Sequence, residues 1–137
     1  MNVRSVRAGL NTNLATVSGL QTYDFVPAKP EPPCAIVKPH DDPFLRRESM
    51  GMGHVSALFD VLVLVGNVVD DESQDVLDDY IKTSGTGSVW AAIETDKTAG
   101  GAASNLFVQS ITQYGEIPWN DLSYLGAVWL VQVLATG

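Results

Sequence analysis

The run from His54 to Gly66 constrains this chain more than any other segment. Val55, Ala57, Phe59, Val61, Val63 and Val65 alternate there with Ser56, Leu58, Asp60, Leu62 and Leu64. That period of two sends successive side chains to opposite faces of a β-strand. In the second half of the run both sets are apolar, so neither face can be left in water without losing the hydrophobic contribution of its side chains. A chain holding such a strand needs a helix layer on one side of a sheet and further cover on the other. The last long stretch, Leu122 to Leu134, repeats the habit, with Tyr124, Val128 and Leu130 opposite Leu125, Trp129, Val131 and Val133.

The rest of the chain supplies the layers. Val3, Val6, Leu10, Leu14 and Val17 recur every three or four residues with Arg4, Arg7, Asn11 and Thr12 between them, which predicts an amphipathic helix ended by Ser18-Gly19. Thr22 to Val26 reads as a short strand closed by Pro27, and the four prolines between Pro27 and Pro33 make an extended connector. Cys34 to Lys38 is a second strand. Asp70 to Ser73 opens a helix striped by Val76, Leu77, Tyr80 and Ile81, with Asp70 as its cap and acidic residues in its first turn. Ser88 caps a shorter helix with Val89, Ala92 and Ile93 inward. Residues 106–114 alternate as a strand, Gly115 to Asp121 turn, and the last strand runs back as a hairpin partner. The expected fold is therefore α+β: a mainly antiparallel five-stranded sheet, with an N-terminal helix and two helices inserted between strands 3 and 4.

Composition narrows the function classes. The 137 residues suit one domain spanning residues 1–137, and 45% apolar against 18% charged residues is the balance of an ordinary globular chain. A net charge of -8 repels phosphate backbones, which argues against sequence-specific nucleic-acid binding while allowing DNA to pass without being gripped. No export signal or membrane-length apolar run is read, pointing to synthesis in the cytoplasm. The single Cys34 excludes an internal disulfide and reads as a small buried hydrophobe.

Motifs with chemistry are scarce. The acidic group Asp70, Asp71, Glu72, Asp75, Asp78 and Asp79 lacks the order of a calcium loop and reads as a solvated helix face. His40-Asp41-Asp42 with His54 matches no metal spacing, and Ser84-Gly85-Thr86-Gly87-Ser88 has no lysine to make it a phosphate cradle. No catalytic, cofactor or metal residue is assigned. Residues 39–53 show neither strand nor helix periodicity and read as a long flexible loop. Phe44, Leu45, Arg46, Arg47, Met50 and Met52 lie in it, a mixture that either orders on a partner or stays mobile. Trp129 reads as core, whereas Trp119, beside Pro118 in a turn, reads as a further contact residue.

Several segments carry a family resemblance. They are Val3-Arg4-Ser5-Val6-Arg7-Ala8-Gly9-Leu10, the connector Pro27 to Pro33, Val76-Leu77-Asp78-Asp79-Tyr80, Ser88-Val89-Trp90-Ala91-Ala92-Ile93-Glu94, Ala99-Gly100-Gly101-Ala102-Ala103 and Tyr124-Leu125-Gly126-Ala127-Val128-Trp129. Together, over nearly the whole chain, they resemble the tail terminator proteins of siphophages that infect actinobacteria. The resemblance implies a tail-terminator-like domain that is structural and not an enzyme. Its copies would form a hexameric ring at the head-proximal end of the tail tube, stop tube polymerisation and offer a docking surface to the head connector or stopper protein. The implied partners are further copies of the chain and the tail tube protein, with genomic DNA passing through the lumen unbound and no membrane involved. Another head-tail joining or tube protein is the nearest alternative, and a small ligand-binding domain a more distant one.

Overall fold

The computed structural model describes residues 1–17, 19–23, 26–27, 30–41, 44–48, 50–66, 71–85, 87–119 and 122–136. In chain order these form α1 (Val3–Leu14), β1 (Gln21–Thr22), β2 (Cys34–Pro39), β3 (Leu45–Arg47), β4 (Val55–Gly66), α2 (Asp71–Ile81), α3 (Val89–Ile93), β5 (Asn105–Trp119) and β6 (Leu122–Ala135), with single 3-10 turns at Met50–Met52 and Ala99–Gly101. The sheet runs β1-β2-β4-β6-β5, and β3 lies on the same side of β4 as β2. β3 pairs with Val55 to Ala57, and β2 with Phe59 to Leu64. All pairings are antiparallel except β1 with β2.

β4 and β6 carry the two-faced pattern that their sequences predict. Ala57, Phe59, Val61, Val63 and Val65 lie within one cluster beneath Val6, Leu10 and Leu14 of α1, Leu77 and Tyr80 of α2 and Val89, Ala92 and Ile93 of α3. Leu125, Trp129, Val131 and Val133 of β6 join it. On the opposite face Cys34, Ile36, Leu62, Leu64, Ile117, Tyr124 and Val128 make a second, smaller cluster, with Tyr23 and Trp119 packed on it. The connector closes that end, since Tyr124 Oη donates to the Pro30 carbonyl and the Trp119 indole N–H to that of Pro27. Burial pushes the Cys34 thiol up to about 11, so almost no thiolate forms near neutral pH.

The caps follow local chemistry. Asn2 Oδ1 accepts from the Ser5 N–H at 3.1 Å to open α1, and Ser88 Oγ accepts from Ala91 N–H at 3.1 Å to open α3. Ser88 Oγ also donates to the Lys82 carbonyl, tying α3 to the end of α2. Asp70, Ser18, Thr86 and the side chains of Asp71, Glu72 and Ser73 lie outside the description, and the expected cap and acidic first turn of α2 fall on them.

The sheet departs from the expected five strands in three places. Leu45 to Arg47 pair with β4 although their segment lacks strand periodicity. Three residues are too few to display a period, yet enough to pair with the start of a long strand. β1 is shorter than Thr22 to Val26 and parallel to β2, with Asp24 and Phe25 outside the described residues. Tyr23 has left the sheet, where its carbonyl accepts from Asn11 Nδ2 at 2.9 Å and its hydroxyl from the Glu31 N–H at 2.9 Å. Finally, β5 continues through Gly115 to Trp119 instead of turning there, and Pro118 is tolerated because β5 is an edge strand. Asn120 and Asp121, at the turn itself, lie outside the description.

Two register shifts also break the alternation expected of β5, one between Val108 and Ser110 and one between Ile111 and Gln113. Each places an extra residue against a single partner, as a β-bulge does. Ile111 therefore sits opposite Trp129 and packs on the helix-side core together with Leu106 and Val108. Ser110 sits opposite Leu130 on the other face.

Candidate interaction surface

The helix-free face of the sheet is covered only at its connector end. Beyond the second cluster, Leu58 of β4, Leu130 and Leu134 of β6 and Phe107 of β5 are half-exposed and belong to neither buried cluster. Asp60, Gln109 and Gln132 share that face, with Gln109 Nε2 donating to Gln132 Oε1 at 3.0 Å. A sheet face that sets partly exposed Leu and Phe among Gln and Asp offers apolar area that a partner could cover.

Next to it lies the β3 segment, which holds six of the seven contact residues expected from sequence. Phe44 turns inward, packing its ring edge-on against Phe59 at 5.5 Å between centroids. Leu45 is 49% and Met50 95% exposed. The side chain of Met52 lies outside the description, as do Asp42, Pro43 and Ser49. Arg46 meets Glu48 through Nε and Nη2 at 3.0 and 2.9 Å, so one arginine expected to seek a neighbouring subunit already has an acidic partner in its own chain. Phe44, Arg46, Ser56, Leu58, Gln109 and Gln132 surround a small cavity of about 110 Å³ between this segment and the open face. Trp119, the seventh residue, stands at the opposite end of the face, half-buried and bound to Pro27.

Glu48 organises the segment. Its carboxylate accepts from Ser56 Oγ and from Arg46, and the Ser56 bond, followed by the Arg46 bond, holds its pKa below the ordinary 4.5. A carboxyl group depressed on folding contributes stability above its unfolded pKa and loses it as pH falls through the folded value. Ser56→Ala is accordingly expected to move the Glu48 titration, followed by carboxyl NMR, back toward 4.5. A titration that stays where it was would show that the Ser56 bond does not set it.

Between the two ends lies a cleft of about 450 Å³, walled by Lys38, His40, Asp60, Thr112, Gln113 and Trp119 among others. His40 Nδ1 is 3.0 Å from Asp60 Oδ1 in its wall. The sequence placed His40 in a loop turn with Asp41 and Asp42. The partner it meets is twenty residues away on β4 instead, a pairing that only the sheet register creates. Among the described residues no group of three or more His, Cys, Asp and Glu side chains could hold a metal ion. No described helix is long and apolar enough to cross a membrane. No protein-family model matches the chain, and no curated protein is similar to it.

Proposed function

We propose that this chain is a structural ring subunit of the tail terminator kind, working by assembly and not by catalysis. One observation carries the reading: half of one sheet face presents Leu58, Phe107, Leu130 and Leu134 partly exposed, beside the small cavity at Arg46 and Ser56, while the opposite face carries the helix-side core. A neighbouring copy laid on that face completes the layer the single chain lacks. Head-to-tail contacts of this kind close into a ring when the rotation between copies divides a full turn. The ring, six-membered by resemblance, would end the tail tube in the virion and offer its outer surface to the head connector. A net charge of -8 suits a lumen through which DNA slides unbound.

The experiment is electron imaging of the purified chain and of particles containing it. Closed rings at the head-proximal end of the tube are the expected result, and a phage lacking the gene that still builds tails of normal length joined to heads would end the proposal. Arg46→Ala with Arg47→Ala is expected to weaken ring association roughly 3- to 10-fold at low salt and less at high salt, the scale of contacts at an exposed interface rim. Association unchanged in sedimentation would remove the arginines from the contact. The cleft between His40, Asp60 and Trp119 favours a second reading, a small ligand-binding domain. A chain that remains monomeric at every concentration would leave that reading in front.

A further inference from the structure

β5 is bonded along one side only, by β6, over fifteen residues, and such an edge is a ready template for another strand. In an antiparallel ladder, alternate residues of an edge strand turn their N–H groups outward. Two amides of β5, two residues apart, carry side-chain partners where a docking strand would bring carbonyls. Leu106 N–H donates to Asn105 Oδ1 at 3.0 Å, and Val108 N–H donates to Glu94 Oε2 at 3.3 Å. Glu94 reaches the edge from the C-terminal cap of α3 and is held from its other oxygen by Lys97 Nζ at 3.6 Å. Immediately beyond Val108 the two bulges break the regular spacing of the edge as far as Gln113.

We infer that Glu94 is a plug on the β5 edge, occupying the Val108 amide so that a strand from a second copy of this chain cannot add to Asn105–Val108. The bulges disrupt the middle of the strand, from Val108 to Gln113, by geometry, whereas its straight first part depends on Asn105 and Glu94. Of these, Asn105 belongs to the strand itself. Glu94 is the removable element, since it comes from another segment and is anchored by one partly exposed ion pair. The role lies in the isolated chain and stands whether or not the ring reading holds: it directs self-association away from edge-to-edge pairing.

The test compares the wild type with Glu94→Gln, Glu94→Asp and Glu94→Ala. Gln keeps an acceptor at the same reach. Asp keeps the charge but is one carbon too short, and Ala removes both. In dilute solution the Val108 amide is expected to exchange its hydrogen roughly 10-fold faster in the Asp and Ala variants, the scale of one hydrogen bond to a charged group, and at the wild-type rate in the Gln variant. At higher concentration the Asp and Ala variants are expected to sediment as species larger than any the wild type forms, with circular dichroism unchanged in dilute samples. Wild-type exchange at Val108 in the Ala and Asp variants overturns the inference. So does a wild-type size distribution in the Asp variant, which retains the helix-end charge.

Discussion

Gly9→Ala is expected to destabilise the protein strongly, although Gly to Ala inside a helix ordinarily stabilises by about 0.5–1 kcal/mol. The sign reverses because α1 crosses the 3-10 turn at Ala99–Gly101 almost backbone to backbone. A Cβ on Gly9 would stand 2.2 Å from the Ala99 carbonyl oxygen, 2.5 Å from its carbon and 2.7 Å from its Cα. Backbone cannot rotate aside as a side chain can. The turn is also constrained, with Ala99 at φ 49° and Gly100 and Gly101 at positive φ, and Asp96 braces it by accepting from Thr98 and Gly100. Overpacking of a tight contact costs about 1–3 kcal/mol and occasionally more. Offset only in part by the helix gain of alanine, a clash at the top of that range lowers the melting midpoint by roughly 5–10 °C for a chain of this size. Calorimetry on Gly9→Ala beside Ser5→Ala, an exposed position of the same helix, reads it directly. Equal midpoints for the two variants would show that the turn simply moves away.

Trp129→Ala should have the largest effect of any single truncation, about 3–5 kcal/mol, because Trp129 is the largest side chain buried completely in the main cluster. It stands opposite Val61 on β4 and Ile111 on β5, so its loss opens a hole between the middle of the sheet and the helix layer. Trp129→Phe is expected to cost much less than the lost area suggests. Among the described residues the indole N–H has no hydrogen-bond partner, and phenylalanine removes that unsatisfied donor along with the second ring. Chemical denaturation of both variants measures the pair. A Phe variant as unstable as the Ala variant would mean that the indole is held by more than packing.

These two sites show how far local pattern reaches. Trp129 as core, the stripe Val6, Leu10 and Leu14, the Ser88 cap and both faces of β4 and β6 were legible, since each depends on spacing within one element. Gly9 was not marked as a crossing point, because a glycine in a helix looks the same in sequence whether it faces water or another backbone. Asn11 was read on the polar side of α1, yet it is buried, and so is Asn13. Asn11 donates to the Tyr23 carbonyl, while Asn13 Nδ2 donates to the carbonyls of Ile93 and Asp96, both at 3.0 Å. A short polar side chain reads as exposed until the chain brings it a carbonyl that would otherwise be orphaned.

The candidate surface divides along the same line. Leu45, Arg46 and Met50 stood out by composition in a stretch without periodicity; Arg46 lies opposite Ser56 beside the open sheet face, whereas Leu45 lies opposite Ala57 on the helix side. Their attachment to β4, the Arg46–Glu48–Ser56 network, the His40–Asp60 pair and the Glu94 contact with β5 came from no local signal. By itself the sequence determined the α+β class, the helix layer and the need for cover on both sides of two strands, because periodicity and caps act within a few residues. The tertiary structure alone decided how many strands join, where β5 bulges, which half of the second face stays open and what guards its edge. Register and packing bring together residues far apart in the chain, and the free energy of those contacts appears only after the chain has closed.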